Sequence, residues 1–374
     1  MTMNAMTLSA IASLLSALYT PDKSGNSVYT PSFDNTLLVL NKIGKDVTFP
    51  QSIVDKLPEF DGEFLANGKT IEEFNSDLAL PDDPDSLEDA EDLKAWLPSA
   101  RTPFYSYTLK EQLFHVTRKF NDLQQAFNSP GETVNAEMDI LKKFNDSYWI
   151  NKYQLKRQEL GTLIKLVENS RTTDAVVFAT ATAYSKGQYV KDASTATKYG
   201  VIFNPYTANG ASDWADAVAK GFIVELDLLA TLDAPTDTAT GESAIIQMQK
   251  DAEIANDNSQ GHSLSGNTLG AQSFLKIYVK QGIMPNINVN TLAGAFHLDK
   301  VATPFEIKPL PDFGDADSKV WAVLVDTRGI RLHPSVDYVM DTRNGAKGWV
   351  SYYRHVQYTP FISRNTFVKV YKGN

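Results

Sequence analysis

The residue types that carry out most enzyme chemistry are sparse and poorly spaced in this chain. It contains no cysteine, so a thiolate zinc site, a cysteine nucleophile and a disulfide framework are excluded. No two histidines have the spacing of metal ligands, and neither a phosphate-binding Walker loop nor a dinucleotide fingerprint occurs. The histidines are His115, His262, His297, His333 and His355. We therefore expect no metal and no cofactor.

One segment approaches a hydrolase motif. Residues 261–265 read Gly-His-Ser-Leu-Ser, which is similar to a nucleophile elbow. Ser265, however, stands where the closing glycine must be, and the flanking residues are typical of loops rather than of a strand and a helix. Neighbouring carboxylates such as Glu72 and Glu73 are common in any acidic chain and do not by themselves indicate an acid and a base. The sequence predicts no catalytic residues and no enzyme.

Charge is more informative than catalytic motifs. Seven acidic side chains fall within eleven positions, inside a glycine- and proline-containing stretch from 60 to 107. Such a stretch buries too little apolar area to fold alone, which predicts a projecting loop or long hairpin; a disordered solvated loop is the alternative. A calcium loop is disfavoured because the required glycine and glutamate offsets are missing. The acidic residues are Asp82, Asp83, Asp85, Glu88, Asp89, Glu91 and Asp92.

The basic counterpart of this run lies on a predicted long helix. Ser129, Pro130 and Glu132 form an N-terminal capping signal, and apolar residues recur at helical spacing out to about residue 168. Basic side chains on its polar side indicate a solvated face, or alternatively a phosphate-facing patch. We expect Asp82, Asp83, Asp85 and Asp89 to contact this face in a neighbouring subunit. The basic residues are Lys142, Lys143, Lys152, Lys156 and Arg157.

Composition is that of a folded globular protein. The chain has 374 residues, of which 43% are hydrophobic and 21% charged. Its formal net charge of −10 gives the protein as a whole no electrostatic reason to seek nucleic acid or an anionic membrane. Residues 10–19 resemble the apolar core of a signal peptide, but no lysine or arginine precedes Lys23, so we expect an amphipathic arm. No other run approaches the roughly 18 residues of a membrane span.

The last fifty residues read as a complete sheet element. Residues 320–325 form a continuous apolar run that predicts a strand buried on both faces. Two β-rich arms, 336–341 and 348–358, flank Asn344 and Gly345, a strong hairpin signal. Both faces of the second arm carry aromatics, which predicts cover on two sides by other copies; an ordinary two-layer core is the alternative. Trp349 is expected to point inward.

Residues 173–310 alternate short strand and helix patterns. We expect strands at 175–181 and 274–279, a helix at 213–219 and an apolar segment at 222–229. Residues 234–270 are rich in Thr, Ser, Asn, Asp and Gly and are expected to contain flexible loops.

The order of these parts resembles tailed-phage major capsid proteins, the Johnson fold, and is most similar to those of small short-tailed phages of Gram-positive bacteria. Residues 68–73, Gly-Lys-Thr-Ile-Glu-Glu, resemble that group's extended loop, and 289–296 resemble one of its helices. Residues 322–326 and the later Arg343, Asn344, Trp349, Tyr352, Tyr353 and His355 follow the order of its final sheet.

This resemblance implies an α+β capsid fold with an N-terminal arm (1–59), an extended loop (60–108) and a spine helix with β-sheet in a peripheral domain (109–172 and 311–374). Residues 173–310 would be an inserted α/β axial domain. It further implies a shell of hexamers and pentamers around packaged DNA, with scaffolding and portal proteins as partners, assembled in the host cytoplasm and found in the virion. An encapsulin-like nanocompartment and a surface-binding module are the alternatives.

Overall fold

The computed structural model describes residues 19–21, 27–29, 53, 55–65, 70–73, 75–76, 100–101, 104–106, 110–119, 130–195, 197–204, 211–270, 274–285, 287, 306–314 and 316–374. The chain divides into two compact units. The first comprises residues 1–69, 107–155 and 332–360, and the second comprises 70–106, 156–331 and 361–374. The arm, loop, peripheral and axial assignments made from the sequence stay predictions.

Within the described residues the α-helices are α1 (Pro130–Arg171), α2 (Trp214–Ala219) and α3 (Thr238–Asn256). The strands are β1 (Tyr19–Pro21), β2 (Ser27–Tyr29), β3 (Thr70–Glu72), β4 (Asn75–Ser76), β5 (Ala100–Arg101), β6 (Phe104–Ser106), β7 (Lys110–Lys119), β8 (Val176–Val177), β9 (Tyr189–Lys191), β10 (Tyr199–Ile202), β11 (Ile223–Glu225), β12 (Leu229–Thr231), β13 (Leu275–Lys280), β14 (Glu306–Leu310), β15 (Val320–Asp326), β16 (Ile330–Asn344), β17 (Trp349–Ile362) and β18 (Val368–Lys372).

The long hairpin predicted around the acidic run is confirmed at its base. β3 pairs antiparallel with β6, and β4 pairs antiparallel with β5. The chain therefore runs out and back through two short antiparallel pairs of strands. The four aspartates proposed as contacts, Asp82, Asp83, Asp85 and Asp89, lie between β4 and β5 and outside the described residues.

Helix α1 begins at the predicted proline and runs for 42 residues, about 63 Å at 1.5 Å per residue. The predicted extent to about residue 168 is confirmed, whereas the caps Ser129 and Glu132 lie outside the described side chains. Buried apolar residues lie at helical spacings of three and four near both ends of the buried stretch, at 140 and 144 and again from 160 to 167. They are Ile140, Phe144, Leu155, Leu160, Leu163, Ile164 and Val167.

In the first unit, β16, β17 and β7 form a three-stranded sheet in that order. β17 pairs antiparallel with β7 over ten residues, from Trp349 opposite Lys119 to Tyr358 opposite Lys110. Only one face is buried. On it Val356 and Tyr358 pack with Leu155 of α1 in a core cluster, which Phe114 and Tyr148 border. The predicted alternation along β17 is therefore confirmed.

In the second unit the largest sheet has the strand order β12-β18-β15-β13-β14. β15 lies at its centre, antiparallel to both β13 and β18, and every one of its residues is buried, as predicted. The expectation that residues 320–371 form one sheet element is wrong, because β15 and β18 belong to this sheet and β16 and β17 to another. Local patterns could not show this, since β15 pairs with β13 from a distant part of the sequence.

The expectation of flexible loops across 234–270 is also wrong for its first half, which is helix α3. Asp237 caps this helix. Its carboxylate accepts a hydrogen bond from the Thr240 backbone N–H, and the Thr240 hydroxyl accepts one from the Asp237 backbone N–H, which completes a capping box. Small and apolar side chains, including Ala244, Met248 and Ala252, form a buried stripe against the five-stranded sheet. Thr, Asp and Gly residues flank this stripe, and they obscured its helical period in the sequence.

A second sheet of this unit, β11-β10-β9-β8, packs around a separate apolar cluster. Trp214 of α2 makes an edge-to-face contact with Phe178, with ring centroids 5.8 Å apart. Asp213 caps α2 by accepting the Asp216 backbone N–H, so the helix predicted at 213–219 is confirmed. The strand predicted at 175–181 is limited to Val176–Val177.

Candidate assembly surfaces

Two of the five basic residues expected on a solvated helix face are solvated. Lys142 and Lys143 are both exposed on α1. The Lys143 ammonium lies 3.0 Å from the Asp139 carboxylate, and Arg118 at the end of β7 pairs with the same carboxylate. These contacts place Lys143 beside the end of β7.

The solvated-face interpretation is wrong for Lys152, which is 7% exposed. Its ammonium lies 2.7 Å from the Asp61 carboxylate and 5.0 Å from the centre of the Trp149 ring. Burial by itself lowers the pKa of Lys152, but the interactions with Tyr148 and Asp61 outweigh it, so its pKa is raised above the usual lysine value. A carboxylate and aromatic faces thus replace water around this charge.

Lys156 and Arg157 depart from the same expectation. Lys156 is fully buried, four residues along α1 from Lys152 and on the same side of the helix. Arg157 is mostly buried and its guanidinium lies 3.2 Å from the Asp312 carboxylate. The sequence pattern counted every lysine as a surface residue, whereas a lysine stem packs like an aliphatic chain when its charge is neutralised. Of the five basic residues, Lys142 and Lys143 are the ones open to a partner.

An ion pair stacked on an aromatic ring holds α1 against the sheet of the first unit. The Arg354 guanidinium donates two hydrogen bonds to the Asp337 carboxylate, at 2.9 and 2.8 Å, and lies 4.4 Å from the centre of the Tyr148 ring. Tyr358 lies behind Tyr148, with ring centroids 6.2 Å apart. Burial raises the pKa of Tyr358, and the neighbouring Tyr148 adds to that shift. Helix and sheet of this unit are therefore fixed to each other by directional contacts.

The other face of this sheet is uncovered in the isolated chain. Trp349 is 42% exposed, so the expectation that it points inward is wrong. The strand alternation placed Trp349 and Val350 on opposite faces correctly, but the helix covers the face of Val350. We call the uncovered side the outer sheet face. Its large side chains are Leu113, His115, Tyr338, Met340, Trp349, Tyr353 and His355.

Ring contacts organise the outer sheet face. Tyr338 of β16 stacks on His355 of β17, with centroids 4.9 Å apart and planes at 19°. His115 of β7 lies 6.4 Å from Tyr353, its Cα partner across the ladder. Sequence reasoning noticed aromatics on both faces of β17 but missed that β7 and β16 extend this surface. The alternation along β7 was the signal that could have revealed it.

The described residues hold no group of three metal-ligating side chains, and none of their helices is long and apolar enough to cross a membrane. The segment 261–265 is a loop of turns. Gly261 has φ +85°, and a side chain there would collide with the Glu225 carbonyl oxygen. This glycine is needed for a close backbone approach and not to expose a nucleophile.

A cleft of ≈ 760 Å³ opens in the second unit beside the end of α1 and the last strand. Lys372 is one of the charged residues that line it, and two carboxylates neutralise its charge. The Lys372 ammonium lies 2.8 Å from Glu168 and 2.7 Å from Asp317. Such a three-membered ion network ties the helix end and the sheet together within this unit.

Comparison with known proteins gives a family match for this chain. Residues 22–200 and 243–369 match the family described as Phi29-like phage major capsid protein. The chain belongs to this family. It is accordingly a shell-forming major capsid protein and a virion component, with a structural role rather than an enzymatic one. The match omits 201–242, which contain α2 and Trp214.

One solved structure has a similar fold. The chain is similar to one in the capsid structure of Staphylococcus phage Andhra, with 11% identity, a TM-score of 0.53 and coverage of 88% of this chain and 89% of that one. It also matches a chain in the bacteriophage PhiM1 mature capsid, with 10% identity, a TM-score of 0.45 and coverage of 88% and 90%. No curated protein matches it in sequence. Neither a nanocompartment shell nor a surface-binding module receives support.

Proposed function

We propose that copies of this chain assemble as hexamers and pentamers into the icosahedral shell of a short-tailed phage, around its double-stranded DNA genome. The chain would be made in the host cytoplasm and assembled there with a scaffolding protein and a portal protein. The outer sheet face is the observation that carries the proposal. In the single chain it exposes four large apolar side chains, Leu113, Tyr338, Met340 and Trp349. In a family of shell subunits, such a face is expected to be covered by other copies.

An uncovered apolar sheet face is a liability in a monomer, because it invites non-specific association. In a closed shell the same face is buried on every copy, and the small gain per contact is repeated at each interface. The rigid attachment of α1 to the sheet through Arg354 supports this role, since a shell subunit must present its contacts in a fixed geometry. The domain assignment follows the same scheme: residues 109–172 and 311–374 are peripheral, and residues 173–310 are axial.

Negative-stain microscopy and light scattering of the purified protein, alone and with its scaffolding partner, test the proposal. We expect closed shells or capsomers. The proposal fails if only a species of 41.4 kDa, the mass of one chain, is present at all salt and protein concentrations with and without the scaffold.

A further inference from the structure

The cleft in the second unit opens at an edge of the five-stranded sheet. β12 is the outermost strand on this side, and among the described strands it pairs with β18 alone. The Leu228 carbonyl oxygen accepts the Val370 N–H, and the Leu232 N–H donates to the Lys372 carbonyl oxygen, both at 2.8 Å. Residues 228, 230 and 232 therefore direct their backbone groups to β18.

The residues between them point the other way. Successive residues of a strand direct their N–H and C=O groups to opposite edges, so those of Leu229 and Thr231 face away from β18. Both residues line the cleft, whereas Ala230 does not. Within the part of the chain that the structure describes, the backbone groups of Leu229 and Thr231 have no hydrogen-bond partner. The cleft thus contains an unpaired strand edge, which can receive one more strand.

A second strand edge lines the same cleft. β8 is the outermost strand of the four-stranded sheet, and its Val177 is 48% exposed. Val177 and Leu229 make part of the lining apolar. The volume of ≈ 760 Å³ lies within the range of about 300–1,000 Å³ that is typical of ligand pockets. A recess of this size admits a single extended segment and not a folded domain.

Three basic side chains around the cleft are available to a ligand. Arg171 ends α1, Lys191 ends β9 and Lys319 directly precedes β15, and all three line the cleft. Among the described residues, no carboxylate forms an ion pair with any of them. Lys372, by contrast, already has two carboxylate partners. The cleft therefore offers positive charge to an acidic ligand.

A peptide matches this lining better than nucleic acid does. Glu168, Asp192 and Asp317 stand among the basic side chains and would repel the closely spaced charges of a phosphate backbone. A peptide backbone supplies both donors and acceptors, so it can extend the ladder at β12, while separate acidic side chains reach the basic ones. The lining therefore indicates an extended peptide with acidic side chains.

The chain's own projecting segments are poor sources of such a peptide. Where the structure describes them, their strands are already paired with each other, β1 with β2, β3 with β6 and β4 with β5. A paired hairpin is wider than the single strand that the cleft admits. A second protein is the better source.

We infer that the cleft binds an extended acidic segment of the scaffolding protein, which adds a strand beside β12. The inference rests on the proposed function, and it names the site on each copy that holds this partner. Hydrogen bonds to the edge of β12 would supply affinity, and the three basic side chains would select acidic residues. Because the contact joins exposed charges, added salt weakens it by screening.

Photo-crosslinking from the cleft tests the contact, because the chain has no cysteine of its own. Ala193→Cys, at an exposed position in the cleft lining, is labelled with a benzophenone maleimide, assembled with the scaffolding protein and irradiated. We expect an adduct of the chain with the scaffolding protein, and mass spectrometry should place the link beside an acidic stretch of that protein. Ala215→Cys on α2, also exposed but outside the cleft, is the matched control and should give much less adduct.

The crosslinking result separates the site from the shell function. Shells that form without an adduct from the Ala193→Cys chain overturn the inference and leave the shell function standing. An adduct between two copies of the chain, or with DNA, also overturns it, because the occupant is then a neighbouring subunit or nucleic acid. If neither shells nor capsomers form, the proposed function fails and the inference fails with it.

Proline substitution on β12 provides a second readout. The Thr231 N–H points away from β18, so Thr231→Pro removes a donor that an added strand would use. We expect this variant to keep its melting transition and to bind the scaffolding protein about tenfold more weakly in calorimetric titration of the unassembled chain. Ala230→Pro removes the donor that faces β18 and should instead lower the melting temperature. Unchanged binding by a folded Thr231→Pro chain overturns the added strand.

Charge reversal tests the basic side chains without touching the strand. Lys191→Glu with Lys319→Glu should weaken binding of the scaffolding protein by about tenfold or more. Lys165→Glu with Lys250→Glu, at exposed positions outside the cleft, is the control and should bind like the wild type. Equal binding by the two double variants shows that the cleft does not select acidic residues and overturns the inference.

Discussion

The guanidinium of Arg354 donates two hydrogen bonds to the carboxylate of Asp337 and lies over the ring of Tyr148, 4.4 Å from its centre. One side chain thus links β16, β17 and α1. Arginine is suited to this position because its planar fork makes two parallel hydrogen bonds while its face stacks on an aromatic ring.

Arg354→Lys should destabilise the protein by about 1–3 kcal/mol, because an ammonium keeps the charge but loses both the paired hydrogen bonds and the stacking. Urea denaturation followed by circular dichroism measures the change. Arg343→Lys is the matched control, since this exposed arginine also pairs with an aspartate, and it should stay within about 0.5 kcal/mol of the wild type. Equal effects of the two substitutions would show that the stacked geometry contributes nothing.

The two tryptophans of the C-terminal strands should respond oppositely to truncation. Trp321 is 2% exposed and donates its indole N–H to the Leu232 carbonyl, so Trp321→Ala should cost about 3–5 kcal/mol. Trp349→Ala should cost about 1 kcal/mol or less in the unassembled chain, because its ring is largely in water. Chemical denaturation of both variants checks this. A large loss at Trp349 would mean that the outer sheet face is covered within the subunit.

Gly261→Ala should destabilise the second unit by about 1–3 kcal/mol, because alanine is strained at φ +85° and its methyl group would meet the Glu225 carbonyl oxygen. Gly345→Ala at the hairpin turn has open space around its Cα and should change stability by no more than about 0.5 kcal/mol. Thermal melting of the two variants gives the comparison. Similar melting temperatures for both would refute the role given to Gly261.

Protonation of His262 in mild acid should lower the stability of the second unit. Burial lowers the pKa of His262, and Asp227, Lys369 and Asp251 act on it in opposing directions. The unfolded chain therefore takes up the proton more readily, so the stabilisation is complete above about pH 6.5 and is lost as the pH falls through the lower, folded-state pKa.

His262→Gln should remove this part of the acid sensitivity, measured as the difference in urea midpoint between about pH 7.5 and about pH 5.5. His115→Gln, on the exposed face of β7, is the control and should leave the difference unchanged. An unaltered difference in the His262 variant would show that other groups carry the acid response.

Sequence patterns predicted the local helices and strands correctly, but they did not predict which faces of those elements are buried. The start of α1, the cap of α2 and the alternation along β17 each depend on near neighbours in the chain, and each is confirmed. Which face of β17 is buried depends on α1, whose Leu155 packs on the side of Val356. Strand composition carries no such information, and Trp349 was therefore placed on the wrong side.

Charged residues show the same limit. Lys142 and Lys156 look alike in the sequence, yet one is exposed and the other fully buried, because burial depends on what packs over the helix. The family resemblance rested on the order of whole elements, which tertiary packing does not change, and it is confirmed by the family match. The contacts between copies were predicted from charge and stay a prediction, although two of the expected receiving residues, Lys152 and Lys156, are buried within their own chain.

The position of β18 has a consequence for biosynthesis. This strand comes last among the described elements, yet it lies inside the five-stranded sheet between β12 and β15. A ribosome releases residues in order, so the nascent second unit has an open slot in its sheet until residues 368–372 emerge. A second unit without β18 consequently has an incomplete five-stranded sheet, in which β12 has no partner strand and β15 has one open edge.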